Sequence, residues 1–283
     1  MSVDWLTPAA QMPWPVVTPF RMRPNLEKLD PVAPDLFVRD ELAHVYAAEK
    51  HHCLQSHPAR IEVGRVGFDT PTALSEIAGE YCSRFGYDLW PSWETPRGVA
   101  LMMQEDFVIL KQENDTLRTE YLSVSFPSRW DPREKLGLDF AAIHAPVADN
   151  QMLMNAGPNM MTMAFMQQPM LRYVWLIVPS ANLDQHPEKN QAWWSEALAD
   201  PAPLLPRLYW RIERQTTWPL PHLQRAVFFI RLMMSPVVDV LNTAPGRTAE
   251  LAATLRSMTP AIVAYRGMTE ALPRLLNELE ALR

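Results

Sequence analysis

The chain has 283 residues, 48% of them hydrophobic, with 27 prolines, 9 glycines and a formal net charge of −6; average usage would give roughly 14 prolines and 20 glycines. That much apolar material excludes disorder as the main state. Only Gly64 and Gly67 lie within five positions of each other, so neither a Walker loop nor a GxGxxG fingerprint can be written. The 26 basic residues are scattered, which argues against nucleic acid.

The opening MSVDWLTPAAQMPWP lacks a basic stretch followed by an apolar one, and no run of 18 apolar residues occurs. A soluble, cytoplasmic protein with no membrane contact is expected. Cys53 and Cys82 are the two cysteines, too few for a disulfide framework, a cysteine zinc site or an iron-sulfur cluster.

Residues 1–34 hold seven prolines and should run extended over a surface. A helix is expected from Asp40, as N-cap, to about Cys53. A second should start at Thr70-Pro71 and carry Leu74, Ile77, Ala78, Tyr81, Cys82 and Phe85 at helical spacing. Phe107–Lys111 and Thr119–Phe126 read as strands around a turn at Glu113-Asn114-Asp115. A methionine-dense segment, Gln151–Met170, follows; it carries Met152, Met154, Met160, Met161, Met163, Met166 and Met170 and should be helical after Pro158. Such a segment suits an irregular core or the wall of a flat apolar pocket. Three more strands are expected at Leu171–Val178, Leu208–Thr217 and Ala226–Met233, then helices from Arg247, broken at Pro260 and resumed to Leu282. About five strands with helices before and after imply an α+β domain on an antiparallel sheet.

Alternation along the last two strands places Arg214 with Leu208, Trp210 and Ile212, and Arg231 with Val227, Phe229 and Met233. Glu213 goes to the other face with Tyr209 and Arg211. An arginine among apolar side chains calls for an anion, whether a protein carboxylate or the acid group of a ligand; the alternative is an arginine reaching out to the rim. His51, His52 and His57 fall at the polar end of a helix and read as solvated. His144 differs, because Phe140-Ala141-Ala142-Ile143 and Ala145-Pro146-Val147 around it are apolar. It is either a core histidine with both nitrogens satisfied or a single axial ligand to a haem iron, which needs one neutral imidazole in an apolar pocket.

Several blocks carry a family resemblance. Phe126-Pro127-Ser128-Arg129-Trp130-Asp131-Pro132-Arg133-Glu134-Lys135-Leu136-Gly137 and the nearby Ile143-His144-Ala145-Pro146-Val147 resemble the central signature of the haem-dependent oxidative N-demethylase alpha-subunit family. Gln104-Glu105-Asp106, Glu213-Arg214-Gln215-Thr216, Leu220-Pro221, Phe229-Ile230-Arg231 and Tyr265-Arg266-Gly267 follow the family's order across residues 104–267. The chain departs from the pattern at Arg172-Tyr173-Val174-Trp175-Leu176, which lacks the family's asparagine, in its methionine content, and at Pro221-His222-Leu223-Gln224-Arg225.

The resemblance implies one haem-binding PAS-like domain over residues 1–283, with a proline-rich arm at 1–34 and helices at 246–283. It implies b-type haem held by His144, with dioxygen and reductase-supplied electrons oxidising a small secondary amine; dimethylamine would give methylamine and formaldehyde. FMN and an iron-sulfur cluster are expected on an NAD(P)H-dependent partner subunit, whether or not the chain forms an oligomer. Arg231 or Arg214 would face a haem propionate or iron-bound oxygen, Glu213 or Glu105 would hold the ammonium, and Met163 and Trp175 are assigned to the cofactor wall. A haem-binding sensor or gas-binding protein without turnover is the alternative.

Overall fold

A computed structural model describes residues 4–67, 70–114, 116–189 and 193–282. The chain builds a mixed α+β structure on one open sheet of seven strands in the order β1-β5-β6-β7-β3-β4-β2, and every neighbouring pair is antiparallel. Five strands are long: β3 (Glu105–Glu113), β4 (Thr116–Ser123), β5 (Met170–Val178), β6 (Tyr209–Leu220) and β7 (Arg225–Pro236). They occupy the places expected from alternation and turn residues, with β3 and β7 each four residues longer, β6 two longer and β4 shifted three residues toward the N-terminus.

The expected count of about five is corrected to seven. β1 (Glu27–Lys28) and β2 (Glu62–Gly64) add one short edge strand on each side. Strands of two or three residues leave no alternation to read. β1 pairs with β5 and so ties the proline-rich arm into the sheet. The expected turn before β4 includes residue 115, and the arm includes residues 1–3; these lie outside the described residues. Asn114 takes the left-handed backbone at φ 56°, where asparagine is tolerated.

The second expected helix is found at Thr70–Phe85. The first runs Ala43–Ser56 and starts later than expected. Asp40 does accept from the Leu42 amide, at 2.9 Å, but its carboxylate also takes Gln104 Nε2 and the Arg231 guanidinium, each at 2.8 Å. These bonds hold it to the sheet rather than at the helix start. The C-terminal helices are Arg247–Arg256, Pro260–Tyr265 and Ala271–Ala281, the middle one capped by Thr259, which accepts from the Ile262 amide at 3.2 Å. No helix among the described residues is long and apolar enough to cross a membrane.

The cross-strand register gives the sheet two distinct faces. On one, Phe107, Ile109, Tyr121 and Phe229 pack against the Ala43–Ser56 and Thr70–Phe85 helices in one core. The same face carries Trp175, Trp210 and Ile212, packed against the arm and the C-terminal helices in a second. Trp210 sits between Trp175 and Trp14, with ring centroids 4.9 and 5.0 Å away. The other face carries Val108, Leu110, Leu122 and Phe228. Helices Phe140–His144 and Gln151–Thr162, with the π-turn Met163–Gln167 after the latter, contribute the wall facing it.

A buried ion pair pins the first helix to the sheet. Lys50 Nζ lies 3.2 Å from Asp106 Oδ1, with side-chain exposures of 0% and 3%. Replacing Asp106 with Ala leaves the ammonium buried without its partner and should remove about 3–5 kcal/mol of stability. Urea unfolding checks this, and the Lys50→Met/Asp106→Leu double variant should recover most of the loss.

Candidate functional site

A cavity of about 500 Å³ lies on the Val108 face of the sheet. Alternation brings Arg172 and Val174 of β5, Glu213, Gln215 and Thr217 of β6, and Phe228 and Ile230 of β7 to one wall. The helical side contributes Phe140, Ile143, His144, Met160, Met161 and Phe165, and Trp130, Trp193 and Trp194 close one end. The lining is therefore apolar and aromatic, with a short polar row on the sheet.

His144 lies at the end of the Phe140–His144 helix, whose start is capped by Asp139 Oδ1 on the Ala142 amide at 2.9 Å. Its Nδ1 is 2.8 Å from the Phe140 carbonyl. A carbonyl can only accept, so Nδ1 carries the proton and Nε2 keeps its lone pair. The ring lies 4.1 Å from the Phe140 ring. Gly157 lets the methionine-rich helix approach that ring closely, since a Cβ there would come within 3.0 Å of Phe140 Cε1. Burial pushes the imidazole down to about 4, the nearby Arg172 and Lys135 charges push the same way, and the Phe140 bond opposes them. The side chain is a neutral imidazole with one free nitrogen.

Glu213 is the buried carboxylate of the cavity wall. Ser128 Oγ donates to its Oε1, and Gln215 Nε2 donates to Oε2 at 2.7 Å. Arg211 Nε donates into Ser128 Oγ at 2.8 Å. Because arginine cannot accept, the serine proton is left to face Glu213, and the carboxylate is held by oriented neutral donors. Among the described residues it forms no ion pair.

Five sequence assignments to this site are corrected. Arg231 and Arg214 share the face away from the cavity. Arg231 pairs with Asp40 at 2.8 Å, stacks over Tyr46 at 4.1 Å and donates to the Leu232 carbonyl. Arg214 donates to the carbonyls of Leu36 and Asp35 and lies 3.7 Å from the Asp35 carboxylate. The anions these arginines call for are thus supplied by the protein. Trp175 points to the same far face, because β5 presents Arg172 and Val174 to the cavity. Met163 is half-buried and off the lining, since the helix turns Met160, Met161 and Ala164 inward. Glu105 is also on the far face, accepting from the Val38 amide at 2.8 Å.

Glu213 and His144 therefore share the cavity. Arg172, Gln215, Ser128, Arg129 and Arg266 also line it, and sequence reasoning assigned none of them a place in the site. The signal for Gln215 and Thr217 was present, because they follow Glu213 at a spacing of two. Arg129 and Arg266 come from loop and helix-end positions that no periodicity places.

The description of a haem-dependent oxidative N-demethylase, alpha subunit-like, matches residues 77–276. The chain belongs to this family. Its family description is that of a haem-dependent, N-demethylase-like oxidoreductase. The residues present fit a haem: one neutral imidazole with a free Nε2, apolar and aromatic walls, and Arg129, Lys135, Arg172 and Arg266 among the lining residues as partners for acid groups. Among the described residues no three His, Cys, Asp or Glu side chains gather as a metal site, and haem ligation asks for no such group.

The unfolded chain protonates His144 near 6.5 and the folded one near 4. This group's contribution to stability is complete above the higher value and is withdrawn as pH falls through the lower one. In nitrogen-15 NMR of the protein without haem, the ring that disappears in His144→Gln should stay neutral from pH 7 to about 5. Titration of that ring near 6.5 would refute the assignment.

Proposed function

We propose that this chain is the haem-binding, substrate-oxidising subunit of an oxidative N-demethylase acting on a small secondary amine, of which dimethylamine is the simplest. The observation that carries this reading is His144, a neutral imidazole with Nδ1 tied to a carbonyl and Nε2 left free in the wall of an apolar cavity. Haem, when bound, supplies the activation of dioxygen. The overall change converts the secondary amine and dioxygen, with two electrons and two protons, into the primary amine, formaldehyde and water.

The chain's own residues supply the rest. His144 would hold the iron, and the Phe140 carbonyl fixes its tautomer and raises its basicity. Glu213 receives the ammonium N–H of the substrate. Its two oxygens are already oriented by Ser128 and Gln215, so little reorganisation is needed when the cation arrives. Arg172 places a positive charge on the same wall. The tryptophans and methionines exclude water, which strengthens each of these charge interactions. Electrons are proposed to come in the cytoplasm from an NAD(P)H-dependent partner carrying FMN and an iron-sulfur cluster, since this chain has no nucleotide loop and two buried cysteines.

The purified protein should take up haemin and give a Soret band that His144→Ala removes or strongly shifts. An unchanged spectrum in that variant would reassign the ligand. With a reductase and dioxygen, dimethylamine should release formaldehyde. Glu213→Gln should lower kcat/KM roughly 10- to 100-fold, the range for a lost charge-assisted hydrogen bond. No formaldehyde from an enzyme whose iron is being reduced and reoxidised would reject the amine.

A further inference from the structure

A second recess of about 80 Å³ lies between the arm at Pro15–Asn25 and β5. Arg21, Arg23, Arg172 and Arg266 line it, and among the described residues no aspartate or glutamate does. Arg172 and Arg266 also line the large cavity, as do Met22 and Val174, so the two spaces adjoin along these residues.

Both arginines keep donors in hand. The Nε of each is shielded from solvent and has no hydrogen-bond partner among the described residues. Arg266 uses one terminal nitrogen on the Trp175 carbonyl at 3.1 Å, and its guanidinium carbon sits 4.6 Å from the ring centres of both Phe20 and Trp175. Those two contacts hold the guanidinium between perpendicular rings. Arg172 faces Gln215 in the sheet register, one step from Glu213. Glu213 acts on Arg172 through its charge but forms no ion pair with it among the described residues, because its oxygens are oriented toward Ser128 and Gln215.

Three buried arginines elsewhere are matched by carboxylates, Arg60 by Asp184 and Arg225 by Glu120, both at 2.7 Å, and Arg231 by Asp40, whereas Arg211 is satisfied by carbonyls and Ser128. A desolvated guanidinium without an anion is unfavourable, and its planar edge of Nε and terminal nitrogen matches the two oxygens of a carboxylate. We propose that Arg172 and Arg266 form a carboxylate-binding subsite where the arginine-lined recess adjoins the cavity. Two sources share that chemistry. One is a propionate of bound haem, which rests on the haem reading above. The other is the acid group of the substrate, making it an N-methylated amino acid whose ammonium meets Glu213 and whose carboxylate meets the arginines.

The full chain and its Arg172→Gln and Arg266→Gln variants are titrated with haemin and with haemin dimethyl ester, followed by the Soret band. Calorimetry on the haem-free proteins then uses N-methylglycine and dimethylamine. If the site takes a propionate, wild type prefers haemin to its ester and each variant loses roughly tenfold or more for haemin alone. If it takes a substrate acid, wild type binds N-methylglycine in preference to dimethylamine and the variants lose that preference. Variants matching wild type within about twofold for every probe overturn the subsite. Wild type that takes up neither haem form rejects the haem reading, and the subsite then stands or falls on N-methylglycine. Arg172→Lys and Arg266→Lys keep the charge without the planar fork; they enter the same titrations and should show the same loss if a Gln variant fails to fold.

Discussion

The guanidinium of Arg211 fastens together the end of the cavity where Glu213 sits. It is fully buried and, among the described residues, finds no carboxylate partner. It donates instead to the carbonyls of Phe126 and Leu183, each at 3.0 Å, to those of Pro127 and Asn182, and to Ser128 Oγ. Burial pushes it down to about 10, so it stays charged at neutral pH. Two loop segments far apart in sequence are thereby bound to β6. Loss of this one side chain would leave several carbonyls without donors in a dry interior.

Electrostatic organisation follows from that anchor. Arg211 directs the serine proton, the serine directs Glu213, and Glu213 remains available on the cavity wall although arginines lie close by. On the far side of the same sheet the logic reverses. Arg231 and Arg214 are consumed by Asp40, by Asp35 and by main-chain carbonyls, and they lock the segment leading into the first helix onto β6 and β7. The two faces therefore divide the charged residues into a structural set and a set left open to ligands.

The helical cover serves one side chain above others. His144 owes its tautomer to a carbonyl one turn earlier and its ring position to Phe140, which the missing side chain of Gly157 lets the next helix approach. The methionines do less than their number suggests: Met160 and Met161 reach the cavity, whereas Met152 is 48% exposed. They fill the irregular space over a π-turn, a role their flexibility suits.

The sequence by itself determined the long strands, the Thr70–Phe85 helix, the broken C-terminal helices and the isolation of His144 among apolar residues. Each rests on local periodicity, on caps or on proline, all of which act within a few residues. It also put Arg214 and Glu213 on opposite faces of one strand. Which of those faces met the cavity was decided by the tertiary structure, because that depends on where the arm, the helices and the loops pack. The short edge strands, the pairing of Arg231 with Asp40, the packing of Trp175 in the far-face core and the shared cavity lining of Arg172 and Arg266 all join residues distant in the chain. Alternation says which side chains share a side, and only packing says what waits on that side for them.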